Sequence, residues 1–349
     1  MRNTMPFRKK YTIPIVIFIL AGSIQVRGFE KVGTTSFQFL KVTTNARAAA
    51  MGEAFTAVAD NSEGLFFNPA AIVSVKNMDF SAAYLDWFLD IYHTTMSAAY
   101  RVPLIGTFGV QALLANAGEI KVTSVDALDF VGDKYLGYTG EVIKPGAMVI
   151  GLSYARSLTE KFSFGITVKY AREDLGVRST GNIAFDGGLL YDTGFRSLRL
   201  SAVIRHFGPE VKFYDEVDLA RYDPVNDVTY YQKYSGKGYP LPQTFNIGIS
   251  SYLIGSSESM IYDSPSQTLL VAFDMVQPRD FDQQYNVGLE YGFRDILFLR
   301  GGYKVNYDSE SYSVGFGLAY DQYRIDYAYS DYGDFLDSVH RFSFGFSID

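Results

Sequence analysis

The chain has 349 residues, of which 48% are apolar and 16% aromatic, with 27 Tyr and 28 Phe against one Trp. A net charge of −7 excludes a nucleic-acid binder, which needs a basic patch, and the absence of cysteine excludes disulfides, thiolate metal sites and cysteine nucleophiles. Because aromatic side chains pack well on a pleated sheet, the composition favours strands, and a single barrel can take up the whole length.

A secretory signal peptide is predicted at the N-terminus. A basic cluster precedes an apolar stretch of about 14 residues, Tyr11–Ile24. Val26 and Gly28 then stand three and one positions before the expected cleavage site at Phe29. Residues 1–28 are therefore predicted to be removed on export. The alternative interpretation is an N-terminal anchor helix, for which this apolar stretch is short.

Most of the remaining chain alternates between large apolar residues and small or polar ones, which predicts strands. In residues 339–349, Phe342 and Phe344 share one face while Arg341 and Ser343 share the other. After residue 28 no apolar stretch reaches the roughly 18 residues of a spanning helix, so a membrane form must be a closed barrel. The aromatic face then meets lipid, and the face of Gly, Ser and isolated charges lines the lumen. The candidate lumen charges are Lys169, Glu290, Arg324, Asp326 and Arg341.

We predict an all-β fold, a transmembrane antiparallel β-barrel of about 14 strands over residues 78–349. The strands are expected near residues 78–87, 91–102, 107–118, 147–157, 161–173, 182–193, 198–212, 243–254, 267–277, 282–293, 296–306, 311–321, 323–331 and 339–349. Short turns join them on the periplasmic side, with a longer exception at 255–266, and the extracellular loops 119–146 and 209–242 are long.

Residues 29–77 do not alternate, and they are predicted to form an N-terminal plug, or hatch, in the lumen. The segment contains Asn45-Ala-Arg-Ala-Ala-Ala-Met-Gly-Glu-Ala-Phe-Thr-Ala-Val-Ala-Asp60 and then Phe67-Asn-Pro-Ala70. These runs resemble the N-terminal signature of the PorV/PorQ family, which looks like a branch of the FadL-type barrels. Glu53 and Ala71 depart from the usual pattern. The matched motif residues are Asn45, Arg47, Met51, Gly52, Asp60, Asn68, Pro69 and Ala70.

The resemblance implies a barrel of fourteen strands with an N-terminal plug, located in the bacterial outer membrane. For a PorV-like member it implies a docking or shuttle component of type IX secretion, with exported cargo C-terminal domains and secretion-system subunits as partners. For a FadL-like member it implies a transporter of long-chain fatty acids or other hydrophobic compounds. The wording of the motif favours the docking function. Membrane lipid is a partner in either case, and nucleic acid is not.

Each function points to its own residues. A docking surface would use the tyrosines of the 209–242 loop, because tyrosine is enriched at protein interfaces. A transporter needs an apolar pocket between plug and wall, but the same residues would also pack a closed plug. The loop tyrosines are Tyr214, Tyr222, Tyr230, Tyr231, Tyr234 and Tyr239, and the pocket candidates are Phe37, Phe39, Leu65, Phe66 and Phe67.

Structural roles are the simpler interpretation of several residues. Asn68 and Pro69 are expected to begin a turn, and Arg47 is expected to lock the plug through Glu290 or Asp326. Trp87 is expected in the aromatic girdle at a membrane interface. The acidic loop 214–227 is interpreted as solvated rather than as a Ca²⁺ site.

An enzyme is not predicted. Only His93, His206 and His340 offer an imidazole base, and no nucleophile elbow, zinc-binding helix motif or phosphate loop occurs. Ser201 and Ser343 are the serines considered beside these histidines, but nothing in their spacing requires a pairing. The sequence therefore predicts no catalytic, cofactor or metal site.

Overall fold

The computed structural model describes residues 32–89, 91–124, 130–131, 134–135, 137–176, 178–213, 216–223, 226–255, 258–333 and 338–348. The predicted signal peptide, residues 1–28, and its cleavage site lie outside these ranges. Within the ranges, every helix is too short or too polar to cross a membrane.

The described residues contain fourteen antiparallel strands that form one closed ring. In chain order they are β1 Met78–Asp86, β2 Tyr92–Val102, β3 Gly106–Asn116, β4 Gly146–Ser157, β5 Phe162–Asp174, β6 Ser179–Asp192, β7 Arg199–Phe207, β8 Thr244–Gly255, β9 Gln267–Pro278, β10 Gln284–Phe293, β11 Leu297–Val305, β12 Tyr312–Tyr320, β13 Tyr323–Ser330 and β14 Val339–Ile348. Each strand pairs with the next, and β14 pairs with β1 so that Met78 lies opposite Ile348. The predicted transmembrane barrel is confirmed.

The two faces of each strand carry different side chains. On β14, Phe342 and Phe344 are 52% and 40% exposed, whereas Arg341 and Ser343 are buried. Because successive side chains of a strand point to opposite faces, the apolar set turns outward and the small and charged set turns inward. The wall therefore presents an apolar exterior to lipid and a polar interior.

The two ends of the ring differ in the length of their connections. At the short-turn end, the connection between β8 and β9 is the long one, and in it Tyr262–Asp263 pairs in parallel with the last residues of β8. At the long-loop end, the β3–β4 and β7–β8 connections were predicted as loops but contain further strands. These are Ile120–Thr123 with Tyr138–Ile143, Phe130–Val131 with Lys134–Tyr135, and Glu216–Asp223 with Val228–Ser235.

The N-terminal segment, residues 32–77, contains short helices. They are the 3₁₀ helices Gln38–Lys41, Ser62–Phe66 and Pro69–Ser74 and the α-helix α1, Ala46–Ala50. Asn45 Oδ1 accepts from the Ala48 N–H at 2.8 Å, and Asn61 Oδ1 and Asn68 Oδ1 accept from the Glu63 and Ala70 N–H groups, each at 3.0 Å. Asparagine caps therefore start three of them. Pro69 suits the first helical position, where no N–H is needed. Asn68 and Pro69 thus begin a 3₁₀ helix rather than an isolated turn.

The N-terminal segment contacts inward-facing groups of all fourteen strands. Ser62 donates to Asp79 on β1 at 2.6 Å, and on the far side of the ring Ser250 on β8 donates to the Ala57 carbonyl oxygen at 3.0 Å. Segment and wall therefore share one buried interface.

Glycine makes this close approach possible. A Cβ on Gly302 of β11 would overlap the backbone nitrogen of Gly52, and one on Gly165 of β5 would overlap the nitrogen of Ala70. Gly52 itself has φ 61°, a left-handed conformation that side chains disfavour. The small residues of the inner face are thus explained by the backbone that lies against them.

We predict that Gly302→Ala lowers the free energy of unfolding by about 1–3 kcal/mol, because the added methyl group forces the segment away from β11. Denaturant titration of the folded barrel measures the change. Gly301→Ala is the matched control, since its Cβ would meet open space. Equal stability of the two variants would contradict the close packing.

Candidate functional site

An ion-pair network joins the N-terminal segment to the wall near the short-turn end. Arg47 donates through Nε and one terminal nitrogen to the two Glu290 oxygens, each at 2.9 Å, and through the other nitrogen to Asp60 Oδ1 at 2.8 Å. Two parallel N–H···O bonds of this kind give a guanidinium–carboxylate pair a fixed geometry. Glu290 is buried, so the pair lies out of water.

The network continues around the inner face. Arg300 donates to Glu290 and to Asp326, both at 2.6 Å, and Arg324 lies 2.9 Å from Asp79. Of the two partners expected for Arg47, the structure brings Glu290 to it, while Asp326 pairs with Arg300. These charges border a cavity of about 410 Å³ that is reached from the short-turn end.

Glu63 is a buried carboxyl of the N-terminal segment beside this network. Burial raises its pKa to about 7, and the negative charge of Asp326 adds to the rise. Its protonation therefore changes within the physiological range. Sequence reasoning missed Glu63, because nothing in the motif distinguishes it from a solvent-facing glutamate.

A second charged cluster lies in the wall between β5, β6 and β7. Lys169 Nζ lies 2.8 and 2.6 Å from the two Asp186 oxygens and 2.7 Å from His206 Nδ1. The remaining candidate lumen charge, Arg341, donates to the Thr43 carbonyl oxygen at 2.8 Å. All five candidate lumen charges therefore face inward, two of them in contact with the N-terminal segment.

An apolar pocket, here named the inner pocket, lies between the N-terminal segment and the wall. Its volume is about 40 Å³, and residues from the segment and from β2, β3, β4, β5 and β7 line it. Its apolar lining consists of Leu40, Val42, Phe66, Phe67, Leu113 and Val149. These six apolar side chains meet nine polar or charged ones around the pocket.

A larger cavity of about 290 Å³, here named the outer cavity, adjoins the inner pocket at the long-loop end. The two share the wall formed by residues 41–43, Arg205 and His206. Arg205 donates to the Phe66 carbonyl oxygen at 3.0 Å, so it holds the segment at the boundary between the two spaces.

The predicted pocket residues separate in the structure. Phe66 and Phe67 line the inner pocket, and Phe37 and Phe39 pack with Leu113 in one hydrophobic cluster. Leu65 belongs to a different cluster. The wall residues were missed, although an apolar side chain such as Leu113 on an otherwise polar inner face was a usable signal.

Trp87 does not occupy the aromatic girdle. Its ring packs 5.5 Å from that of His93, a buried inward residue, and it borders the outer cavity. The reason is the strand period: Asp79, Ser81 and later odd-numbered residues of β1 face inward, and Trp87 continues that phase.

The structure describes the side chains of two of the loop tyrosines. Tyr231 is 73% and Tyr239 39% exposed. Tyr222, Tyr230 and Tyr234 lie on the hairpin of the β7–β8 connection, and Tyr214 falls outside the described residues.

The side chains considered for catalysis are not assembled. Ser201 Oγ lies 2.9 Å from Thr56 Oγ1, Ser343 Oγ accepts from the Ala46 N–H, and His340 contacts Tyr327. Across the described ranges, no group of three His, Cys, Asp or Glu side chains is placed to hold a metal.

Solved structures with a similar fold are outer-membrane barrels. The toluene transporter TodX of P. putida aligns at a TM-score of 0.53 and 11% identity, over 87% of this chain and 98% of TodX. A TodX deletion mutant described as a monoaromatic hydrocarbon channel aligns at 0.56 and 11%, over 87% and 99%. A FadL homologue of Pseudomonas aeruginosa aligns at 0.51 and 10%, over 88% and 99%.

The chain has the fold of FadL-type barrels. At these identities the likeness establishes architecture and not a shared ligand. No family model matches the sequence, and no curated protein matches it. The PorV/PorQ resemblance of residues 45–71 stays a prediction.

We predict that Glu290→Gln destabilises the barrel by about 3 kcal/mol, because the substitution removes the negative charge that Arg47 and Arg300 share. Thermal unfolding followed by circular dichroism measures the loss. Glu119→Gln is the control, because its pair with Lys144 is exposed and such pairs contribute little. A Glu290→Gln variant as stable as the control would rule out an energetic role for the network.

A pH dependence follows from Glu63. Its pKa is about 7 in the folded chain against 4.5 unperturbed. Between pH 4.5 and pH 7 the folded state therefore holds a proton on Glu63 that the unfolded state has lost. The stability contributed by that proton is complete below pH 4.5 and is lost as the pH rises through 7. We therefore expect the denaturant midpoint to be higher at pH 5 than at pH 8.

Glu63→Gln removes this titration, and the difference between the two midpoints should shrink. The exposed Glu141→Gln serves as the control and should leave it unchanged. An undiminished difference in Glu63→Gln would assign the pH dependence to other groups.

Proposed function

We propose that the chain is a non-enzymatic outer-membrane barrel that passes hydrophobic compounds, and that residues 32–77 act as its plug. The observation that carries the proposal is the inner pocket, an apolar space between this segment and the wall. The chain shares its fold with TodX, which is described as a toluene transporter. Long-chain fatty acids and small aromatic compounds are the substrate classes to test.

The route that we propose begins at the long-loop end. A hydrophobic compound enters the outer cavity, which is large enough for a small molecule, and then reaches the inner pocket past Arg205. Apolar side chains receive the compound there, because transfer of apolar surface out of water is favourable. Further passage requires the pocket to widen, since its present volume is about 40 Å³.

The ion-pair network supports the plug role. Arg47 is bonded to both Glu290 and Asp60 and holds the segment to β10. Contacts of the segment with every described strand support the same role.

A second proposal is docking of exported proteins, which the motif resemblance favours. Tyr231, which lies on the hairpin of the β7–β8 connection and is 73% exposed, is the observation that supports it. Affinity purification from native outer membranes separates the proposals: co-purified cargo or secretion subunits favour docking, and bound hydrophobic compounds without such proteins favour transport.

We predict that Val149→Phe, which fills the inner pocket, lowers the entry rate of a hydrophobic fluorophore such as N-phenylnaphthylamine about tenfold, since overpacking of a closed site is costly. The assay uses intact cells that produce the barrel, because lipopolysaccharide otherwise excludes the fluorophore.

The control is Val168→Phe on β5, the same substitution at a lipid-facing position that is 46% exposed. Surface amounts of both variants are matched by immunoblotting. If the fluorophore enters cells with Val149→Phe as fast as cells with Val168→Phe, the inner pocket does not lie on the transport route.

A further inference from the structure

The inner pocket contains buried polar atoms for which the described residues supply no hydrogen-bond partner. Thr44 Oγ1, Asn45 Nδ2, Gln111 Oε1 and His206 Nε2 are buried and have no hydrogen-bond partner among the described residues. All four residues line this one pocket, and each is at most 5% exposed. A buried polar atom without a partner costs free energy comparable to a lost hydrogen bond. Four of them around one small space favour the binding of a polar group there.

The chemistry of two of these atoms is fixed by their neighbours. Asn45 Oδ1 accepts from the Ala48 N–H, so the free Nδ2 is a donor. His206 Nδ1 lies 2.7 Å from the Lys169 ammonium, which can only donate, so Nδ1 accepts and the free Nε2 carries the proton. The pocket therefore presents two donors.

The other two atoms supply acceptors. Gln111 Oε1 is an acceptor, and the Thr44 hydroxyl can donate or accept. His206 is brought to the pocket by a strained backbone, with φ 59° next to the register shift between β6 and β7. The set is mixed, and only a group that both donates and accepts satisfies it.

We propose that the inner pocket binds the hydroxyl group of an uncharged hydrophobic alcohol or phenol. A hydroxyl supplies one donor and two lone pairs, which matches the mixed set. A hydrocarbon satisfies none of these atoms, and a carboxylate cannot donate to Gln111 Oε1. This inference rests on the proposed transport function and narrows its substrate class.

The volumes of the inner pocket and the outer cavity indicate which part of the ligand each of them holds. A space of about 40 Å³ holds only about three non-hydrogen atoms, since one water needs about 10–15 Å³. The hydroxyl and its first carbon therefore occupy the inner pocket, and the apolar body lies in the adjoining outer cavity of about 290 Å³. Val276 and Phe281 offer it apolar surface there.

The test compares three compounds with one skeleton, namely ethylbenzene, 4-ethylphenol and 4-ethylbenzoate. Sealed equilibrium dialysis against the purified full barrel in amphipol gives their affinities. We expect 4-ethylphenol to bind about tenfold more tightly than either other compound, the size of one well-formed hydrogen bond. Gln111→Leu and the isosteric Thr44→Val should each abolish most of this preference. Gln267→Leu, an exposed position at the short-turn end, should preserve it.

Different failures have different meanings. Equal binding of ethylbenzene and 4-ethylphenol, tighter binding of 4-ethylbenzoate, or a preference that survives both pocket variants would overturn the hydroxyl site and leave transport standing. Binding of none of the three compounds would overturn both proposals. Thr44→Val keeps the shape of the residue that it replaces, so a result remains available if Gln111→Leu does not fold.

Discussion

Closure of the ring between β1 and β14 is the constraint on which the remaining structure depends. In lipid every backbone N–H and C=O group needs a partner within the protein, and a closed ring of strands provides it. Closure also fixes the phase of each strand, so that residues such as Phe342 face lipid and neighbours such as Arg341 face inward. Polar and charged groups thereby collect in a confined space, where each of them needs a partner.

The N-terminal segment meets that need. Arg47 and Ser62 bind carboxylates of the wall, while Asp274 of β9 accepts from the backbone N–H groups of Phe55 and Thr56. Where every polar group has a partner, the segment packs closely against the wall, and glycines such as Gly302 allow the two backbones to approach each other. Where the match is incomplete, as in the inner pocket, apolar side chains and unsatisfied polar atoms remain together. That combination is what a binding site needs and a purely structural interface does not.

Much of the wall was predictable from sequence because a period of two is a strong signal, and all fourteen strands were placed within a few residues. The inner surface was less predictable, because partners there come from distant positions. Glu290 was one of two partners expected for Arg47, yet sequence alone does not say that Asp326 pairs with Arg300. The orphaned atoms of Gln111 and His206 depend on three-dimensional neighbours, so no pattern reveals them. Trp87 was misassigned because its strand phase was not extended past β1.

The reach of the N-terminal segment has a consequence for how the molecule assembles. Its partners are distant in sequence, as in the bonds from Ala46 to Ser343 and from Arg47 to Glu290. The segment is synthesised early, but the surface that it occupies exists only after the last strand has paired with the first. Contacts between residues that lie far apart in the sequence form slowly. We therefore expect the segment to reach its final position late in assembly, after most of the wall has formed.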